Sequence, residues 1–224
     1  MFLLAADTSG KQGSIALARC GPAENCEILD VVALTGGTFS AQLIPQIAEL
    51  LARHGVSKLD LEGFAVVSGP GSFTGLRVGL AAIKALADVL AKPIAAVSLL
   101  EAVAVGGTAR GRISAALDAG RGEIYVGQYR VESAGTHLAW ERLLTRDELG
   151  EAAAGSTIVT PDHGVAEAAR AQRVPVEEIA WPRSDSIARL GWKHILRGDT
   201  VSPEALDANY IRRSDAEIFS KSGS

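Results

Sequence analysis

The sequence predicts an α/β protein built from two related halves. Short apolar, β-branched runs alternate with longer stretches whose apolar residues keep 3.6-residue spacing. A strand pattern also repeats. Ala5-Ala6-Asp7, a turn with Gly10 and Lys11, and a returning Ser14–Leu17 run parallel Ala116-Leu117-Asp118, a turn with Gly120 and Arg121, and a returning Glu123–Val126 run. Hairpins share turn chemistry, so this repeat by itself also fits two unrelated hairpins. The third observation is the glycine-rich stretch Ser68–Gly79, set between a β-branched run and a long apolar helix.

The length of 224 residues allows one large domain or two of about 100 residues each. Hydrophobic residues make up 47% but aromatic ones only 5%, so the core is built from Ala, Val, Leu and Ile. A net charge of −4 argues against a free-standing nucleic-acid binder, though not against a subunit whose partner supplies a basic surface. Cys20 and Cys26 are too few for a disulfide framework and fit a reducing, cytoplasmic location. No apolar run reaches the roughly 18 residues needed to span a bilayer. Met1–Ala6 lacks a basic flank and is cut by Asp7, so it reads as a buried strand rather than a signal peptide. Ser220–Ser224 is expected to fray.

Along the chain, Phe2–Ala6, Ser14–Ala18 and Glu27–Leu34 form an antiparallel meander. Ser40 opens a helix in which Leu43, Ile44, Ile47, Leu50 and Leu51 keep helical spacing, and Gly55 ends it. Pro45 falls early, so the regular part is expected to begin near Leu43. Gly63–Ser68 is a buried strand feeding the glycine-rich turn, and Ser72 or Thr74 caps the helix that follows. In that helix, Gly75–Ala91, one apolar face holds Leu76, Leu80, Ile83, Ala87 and Leu90, and a second holds Val78, Ala82, Ala85 and Val89. Arg77, Lys84 and Asp88 leave only a narrow polar stripe. A helix so nearly apolar all round is covered on more than one side. Pro93 stops it, Ile94–Val97 is a strand, and Ser98 with Glu101 forms a capping box for another helix. The run Gly106–Gly111 marks the boundary, giving domains 1–105 and 106–224. The second half adds a strand at Thr157–Thr160, a short helix at Val165–Ala171 and a longer one from Ser184 to Leu196. An extended segment at Ala208–Arg213 follows.

Several chemistries lack their residues. Gly10-Lys11 is not a Walker A loop, and the glycines at 69, 71 and 75 are spaced one residue wider than the dinucleotide fingerprint. The turn is then either a structural tight turn or one that meets a partner or a nucleotide. Asp7-Thr8-Ser9-Gly10 suits the first phosphate loop of sugar-kinase and actin-like ATPases, where an Asp at a hairpin holds metal. A hairpin turn closed by an Asx hydrogen bond fits the same residues. Asp118 carries the same two readings. His54, His137, His163 and His194 are scattered, the cysteines lack zinc spacing, and neither H-E-x-x-H nor G-x-S-x-G occurs.

Four segments resemble one family. Ala6-Asp7-Thr8-Ser9, the Ser68–Gly79 run, Leu117-Asp118-Ala119-Gly120-Arg121-Gly122-Glu123-Ile124-Tyr125 and Asn209-Tyr210-Ile211-Arg212 are similar, in the same order, to segments of the TsaB (YeaZ) family. Gly-Pro-Gly-Ser-Phe-Thr-Gly-Leu-Arg is the most specific of them. One departure is Phe39, which stands where many relatives carry a His.

The resemblance implies an actin-like, sugar-kinase-like fold of two related halves, the second reduced. It implies a non-catalytic subunit that dimerises with a TsaD-like paralogue to support threonylcarbamoylation of tRNA adenosine beside the anticodon. A TsaE-like ATPase joins that complex, and tRNA is met only through it. ATP with Mg²⁺ and threonylcarbamoyl-adenylate are used by the complex, and no cofactor is expected on the lone subunit. Interface residues are then expected at Leu43, Ile47, Leu51, Gly69, Gly71, Phe73, Thr74, Leu76, Arg77, Leu80, Ile83 and Lys84. Asp7, Thr8, Ser9 and Asp118 mark vestigial nucleotide-binding positions. Such an interface can also close on itself as a homodimer. The alternative is an autonomous actin-like ATPase that uses Asp7 and Asp118 around a Mg²⁺-nucleotide.

Overall fold

A computed structural model describes residues 1–22, 24–133 and 135–211. Arg212, Arg213 and the tail to Ser224 lie outside the described residues. The chain divides into two units: Met1–Ala102 with Pro182–Ala208, and Val103–Trp181 with the segment from Asn209.

The first unit is built on a five-stranded sheet of order β3-β2-β1-β4-β5. β1 (Phe2–Asp7), β2 (Gln12–Cys20) and β3 (Cys26–Thr35) form the antiparallel meander, whereas β4 (Leu61–Gly69) and β5 (Ile94–Ser98) run parallel to β1. Parallel neighbours need crossovers, and helix α2 (Phe73–Leu90) supplies the one from β4 to β5. Helix α1 (Phe39–Arg53) precedes β4, and α3 (Leu99–Gly106) follows β5. The burial pattern explains the strand composition. Leu3, Leu4, Ala5, Ala6, Ile15, Ala16, Leu17 and Ala18 are all buried, so β1 and β2 read as continuous apolar runs because both faces are covered.

Two local expectations need correction. α1 begins at Phe39 and carries Pro45 inside it. Pro45 and Ala41 both lie on the exposed face, so the carbonyl that loses its N–H partner is open to water. Ser98 caps α3, accepting from the Leu100 N–H at 3.2 Å, and a Glu101 carboxylate oxygen lies 3.1 Å from His194 Nε2. Cys20 and Cys26, opposed across the β2–β3 hairpin, are joined as a disulfide rather than left as thiols.

The second unit repeats the plan. Its sheet has the order β10-β9-β6-β7-β8, with β6 (Gly111–Gly120), β7 (Glu123–Glu132) and β8 (Gly135–Thr145) antiparallel, and β9 (Thr157–Thr160) and β10 (Val176–Glu178) parallel to β6. Position for position this is the order of the first sheet. The duplication read from two hairpins therefore extends through all five strands, and this is the actin-like arrangement. The helices here are short: α4 (Leu149–Ala152) and α5 (His163–Ala171). Ala116, Ile124, Val126, Leu149, Ile158, Val165 and Ala169 form its core. The glycine-rich entry at Gly106–Gly111 is held down, because the Glu177 carboxylate accepts from the N–H groups of Thr108 and Ala109 at 2.7 and 2.9 Å.

Chain order and spatial order part company near the end. Helix α6 (Ser184–Arg197) packs on the sheet of the first unit, although the boundary at 105/106 assigned it to the second half. Its apolar residues Ile187, Ala188, Leu190 and Trp192 are buried there. The Glu101–His194 pair links α3 to α6 inside this unit.

Glu101, and to a lesser extent Asp199, raise the pKa of His194, against the opposing effects of burial and Arg197. A raised folded-state pKa stabilises the fold below the unfolded histidine value of about 6.5 and loses that contribution as pH rises through the folded value. Urea titrations should therefore show wild-type stability falling, relative to His194→Gln, as pH rises from 6 upward. Parallel curves for the two proteins would contradict this.

Candidate functional site

The loop after β1 and the turn after β4 meet directly. Asp7 ends β1 buried, and its Oδ1 accepts from the Ser9 N–H at 2.8 Å and the Ser9 hydroxyl at 2.6 Å. This is the Asx closure that the sequence left open as one of two readings. Burial raises the Asp7 pKa, and the two Ser9 hydrogen bonds oppose that rise. The Thr8 hydroxyl donates to the Gly75 carbonyl at 2.7 Å, and the Ser72 N–H donates to the Ser9 carbonyl at 2.7 Å. Ser72 also caps α2, accepting from the Gly75 N–H at 3.3 Å.

The glycines allow this approach. A Cβ at Gly71 would stand 2.6 Å from the Ser9 carbonyl oxygen. At Gly75 it would collide with the Thr8 carbonyl oxygen, and at Gly79 with the Thr8 hydroxyl. Gly69 has φ +142°, which side-chain-bearing residues rarely adopt, and the Gly69–Pro70 bond is cis. The ring of Phe39 closes the other side, lying against Gly13. The turn thus meets the chain's own hairpin.

Helix α2 shows two apolar faces, as its sequence suggested. Leu76, Leu80, Ile83 and Ala87 are buried within the first unit, as are Leu43, Ile47, Leu50 and Leu51 of α1. The other face of α2 is open: Val89 is 80% exposed, Ala81 and Ala85 are exposed, and Val78 and Ala82 are half-buried. On the neighbouring α1, Ile44 is 50% exposed and Pro45 and Ala48 lie open. At the start of α2, the Arg77 guanidinium stacks 3.7 Å above the Phe73 ring, with Phe73 41% exposed.

A model of the tRNA N6-adenosine threonylcarbamoyltransferase (TsaD) family matches residues 34–152, just over half of the chain. The Bacillus subtilis tRNA threonylcarbamoyladenosine biosynthesis protein TsaB is 37% identical over 134 residues, covering 59% of this chain and 57% of that protein. Its Escherichia coli counterpart is 32% identical over 138 residues, covering 60% and 58%. These matches span less than two thirds of either relative. The solved structure of YeaZ from Pseudomonas aeruginosa superposes with a TM-score of 0.73 at 25% identity, covering 93% of this chain and all of that one. The chain belongs to the TsaB (YeaZ) family.

For this TsaB-family chain, the interface expectation needs correction in part. Leu43, Ile47, Leu51, Leu76, Leu80 and Ile83 fill the core, so they are not available to a partner. Gly71 is exposed, with the side on which a Cβ would stand turned to Ser9, and Gly69 is buried at the end of β4. Phe73, Thr74 and Arg77 are exposed, and Lys84 is half-buried with its ammonium 3.4 Å from the Glu204 carbonyl. Sequence reasoning missed Ile44, Ala48 and Ala81 as surface residues. Helical phase identifies which residues share a face but not which face the sheet takes.

Asp118, the counterpart of Asp7 at the end of β6, is exposed in the second unit. Its Oδ1 accepts from the Gly120 N–H at 3.2 Å and lies 3.8 Å from Arg146. Its own N–H donates to Asp162 Oδ2 at 2.8 Å, and burial raises the Asp162 pKa. Among the described residues, no three His, Cys, Asp or Glu side chains gather in a metal-holding group. His54 lies 3.2 Å from Asp30 and His163 lies 3.0 Å from Glu178, each a hydrogen-bonding contact with a carboxylate.

The glycine contacts predict an inversion of sign. Ala for Gly in an open helix usually stabilises by about 0.4–1 kcal/mol. Gly164→Ala in α5, where a Cβ meets nothing, should do so. Gly79→Ala in α2 should instead destabilise by about 1–3 kcal/mol through overpacking on Thr8. Chemical denaturation of both variants checks this; stabilisation by Gly79→Ala would refute the contact.

Proposed function

We propose that this chain is a non-catalytic scaffold subunit in tRNA threonylcarbamoyladenosine biosynthesis, and that it docks a TsaD-like transferase on the open faces of α1 and α2. The family assignment and the names of the Bacillus subtilis and Escherichia coli relatives, both tRNA threonylcarbamoyladenosine biosynthesis proteins, support the pathway. The single observation that carries the docking is the outer face of α2, where Val78, Ala81, Ala82, Ala85 and Val89 leave a small-residue surface beside Ile44 and Ala48.

Small side chains let a partner helix approach closely, so backbones pack by ridges and grooves and many weak dispersion contacts add up. Phe73 with Arg77 at one end supplies an aromatic and cationic anchor, residue types enriched at binding hot spots. On this reading the partner carries the transfer chemistry: it moves the threonylcarbamoyl group from its adenylate to the tRNA adenosine. This subunit holds the partner's arrangement, and a TsaE-like ATPase and tRNA join through the assembled complex in the cytoplasm.

The hairpin loop favours the same reading over an autonomous ATPase. Asp7 Oδ1, the Thr8 hydroxyl and the Ser9 backbone carbonyl are engaged by the chain itself. A phosphate would have to draw the Thr8 hydroxyl and the Ser9 N–H and hydroxyl away from these partners, bonds each worth about 0.5–1.5 kcal/mol net. A nucleotide would also have to ionise a carboxyl whose burial favours the neutral form.

Ala85→Glu with Val89→Glu tests the docking surface, because both positions are exposed and the monomer should keep its melting temperature. We expect co-purification with the cognate TsaD-like protein to be lost, with affinity falling at least about 100-fold, as desolvating two carboxylates in an apolar interface costs several kcal/mol. Undiminished pairing by a folded variant would remove the assignment. Separately, calorimetry of the lone chain with Mg²⁺-ATP should show no binding. Micromolar affinity would favour the ATPase reading.

A further inference from the structure

The sheet of the second unit segregates its charge. Asp and Glu outnumber Arg in residues 103–181, which contain no Lys, yet cationic side chains gather at one end of one sheet face. Register sets Arg112 of β6 directly opposite Arg130 of β7, and Arg130 directly opposite His137 of β8. Directly opposed residues of an antiparallel ladder share a face, so these three form a row across three strands. Further along β7, Gln128 is opposite Trp140 and Val126 is opposite Arg142. A register shift takes up Ala139 as an extra residue on β8, which returns Trp140 and Arg142 to the face of His137. Ala116, Ile124 and Val126 of that face belong to the core with Leu149 and Ala153 of α4, and Trp140 packs against it. Arg112, Arg130, His137 and Arg142 are exposed.

Each guanidinium has a neighbour that orients it. Arg112 Nη2 donates to Gln128 Oε1 at 3.0 Å, Arg130 Nη1 lies 3.2 Å from Glu132, and the Arg142 guanidinium stands 5.1 Å from the centre of the Trp140 ring. The Gln128 amide is anchored in turn, donating to the Ala152 carbonyl at 3.4 Å. Two of the three orienting groups, an amide and an indole, leave the charge unneutralised. Among the described residues of β6, β7 and β8, Glu132 is the one carboxylate at this end of the face, and Asp118 stands at the other end of β6.

We propose that the strip of Arg112, Arg130, His137 and Arg142 binds the phosphate backbone of the tRNA that the transferase modifies. The inference rests on the pathway reading above and deepens it, because this chain then touches the RNA itself within the complex. Arg is the side chain whose planar fork meets two phosphate oxygens at once, and a guanidinium already oriented loses less freedom on binding. His137 adds a ring N–H in either tautomer. Strands lie about 4.8 Å apart and rise about 3.4 Å per residue, so the strip covers about 10 Å across the sheet and about 14 Å along it. That reach suits consecutive phosphates of one RNA strand rather than a single small anion. The acidic remainder of the unit repels RNA and confines the contact to this strip.

The test titrates a fluorescently labelled, unmodified substrate tRNA with the complex of this chain and its TsaD-like partner over a series of salt concentrations. For Arg130→Gln with Arg142→Gln, affinity should fall about tenfold at about 0.1 M salt. The plot of log K against log salt should become shallower by about 1.4, two phosphate contacts at about 0.7 each. Should the double variant lose its melting temperature, Arg130→Gln alone should give a change of about 0.7. The control Arg19→Gln with Lys58→Gln, an equal loss of exposed charge in the first unit, should leave affinity and slope unchanged. Complex mass, measured on every sample, reads the docking separately from the RNA contact. If the wild-type chain forms no complex, the docking reading fails, and the same titration on the lone chain decides the strip. Unchanged affinity and slope in a folded Arg variant would overturn the proposal. So would an equal loss in the control, because net charge alone would then account for the binding.

Discussion

The first unit depends on a backbone-to-backbone contact between the Asp7-Thr8-Ser9 loop and the Ser68–Gly79 turn. The loop buries a carboxyl, and the turn holds Gly69 at positive φ. Together they satisfy one another: the Thr8 hydroxyl reaches the Gly75 carbonyl, and the Ser72 N–H reaches the Ser9 carbonyl. A buried polar group left without such a partner costs about 1–3 kcal/mol, so the contact behaves as a unit. Its wider consequence is the rotational setting of α2. With Gly75 and Gly79 held against Thr8, Leu76, Leu80 and Ile83 are fixed toward the core, and Val78, Ala81, Ala85 and Val89 turn outward or to the margin. The glycine contacts and the volumes of Leu76, Leu80 and Ile83 thus select the same open face.

The duplicated plan shows the same problem solved in a second way. In the second unit β9 takes the place of β4, and α5 the place of α2, in an identical strand order. The turn between β9 and α5 has no glycine run. It presents Asp162, whose carboxylate accepts the Asp118 N–H across the two strand ends. A side chain therefore bridges a gap that the first unit closes by direct backbone approach. The strand-end Asp ends up buried in one unit and exposed in the other. The 18-residue α2 and the nine-residue α5 fit this difference, since a helix pressed against the loop gains packing along its whole length.

Much of this was legible in the sequence, and the failures share a cause. Strand order along the chain, the meander, the apolar character of β1 and the two faces of α2 follow from periodicity, which is local. The choice of face does not. Leu80 and Ala85 are equally permissible outward-facing residues until the sheet is in place, and volume decides: the larger Leu76, Leu80 and Ile83 fill the core, leaving the small residues outside. The return of α6 to the first unit was hidden because the boundary glycines at 106–111 are a covalent landmark, whereas packing partners are set by apolar surface. Ile187, Leu190 and Trp192 gave the helix its face but not its destination. The cysteine pairing depended on hairpin register, with Cys20 opposite Cys26, which a separation of six residues allows but does not impose. Pro45 was misjudged because its cost falls on a carbonyl that solvent can satisfy.

The closed loop also bears on how a family built on an actin-like plan can hold a subunit proposed to do no chemistry. A phosphate loop works by leaving donors unsatisfied until the ligand arrives, at some cost in stability. Here the corresponding hydroxyls and amides are spent on the chain: Ser9 on Asp7, Thr8 on Gly75 and Ser72 on Ser9. Closing the loop removes the cost of open polar groups and fixes α2 more firmly, which a helix offering a small-residue docking face requires. Loosening the loop to admit a nucleotide would release the contact that aims that face. On the proposed reading, the interactions that end one function are the ones that support the other.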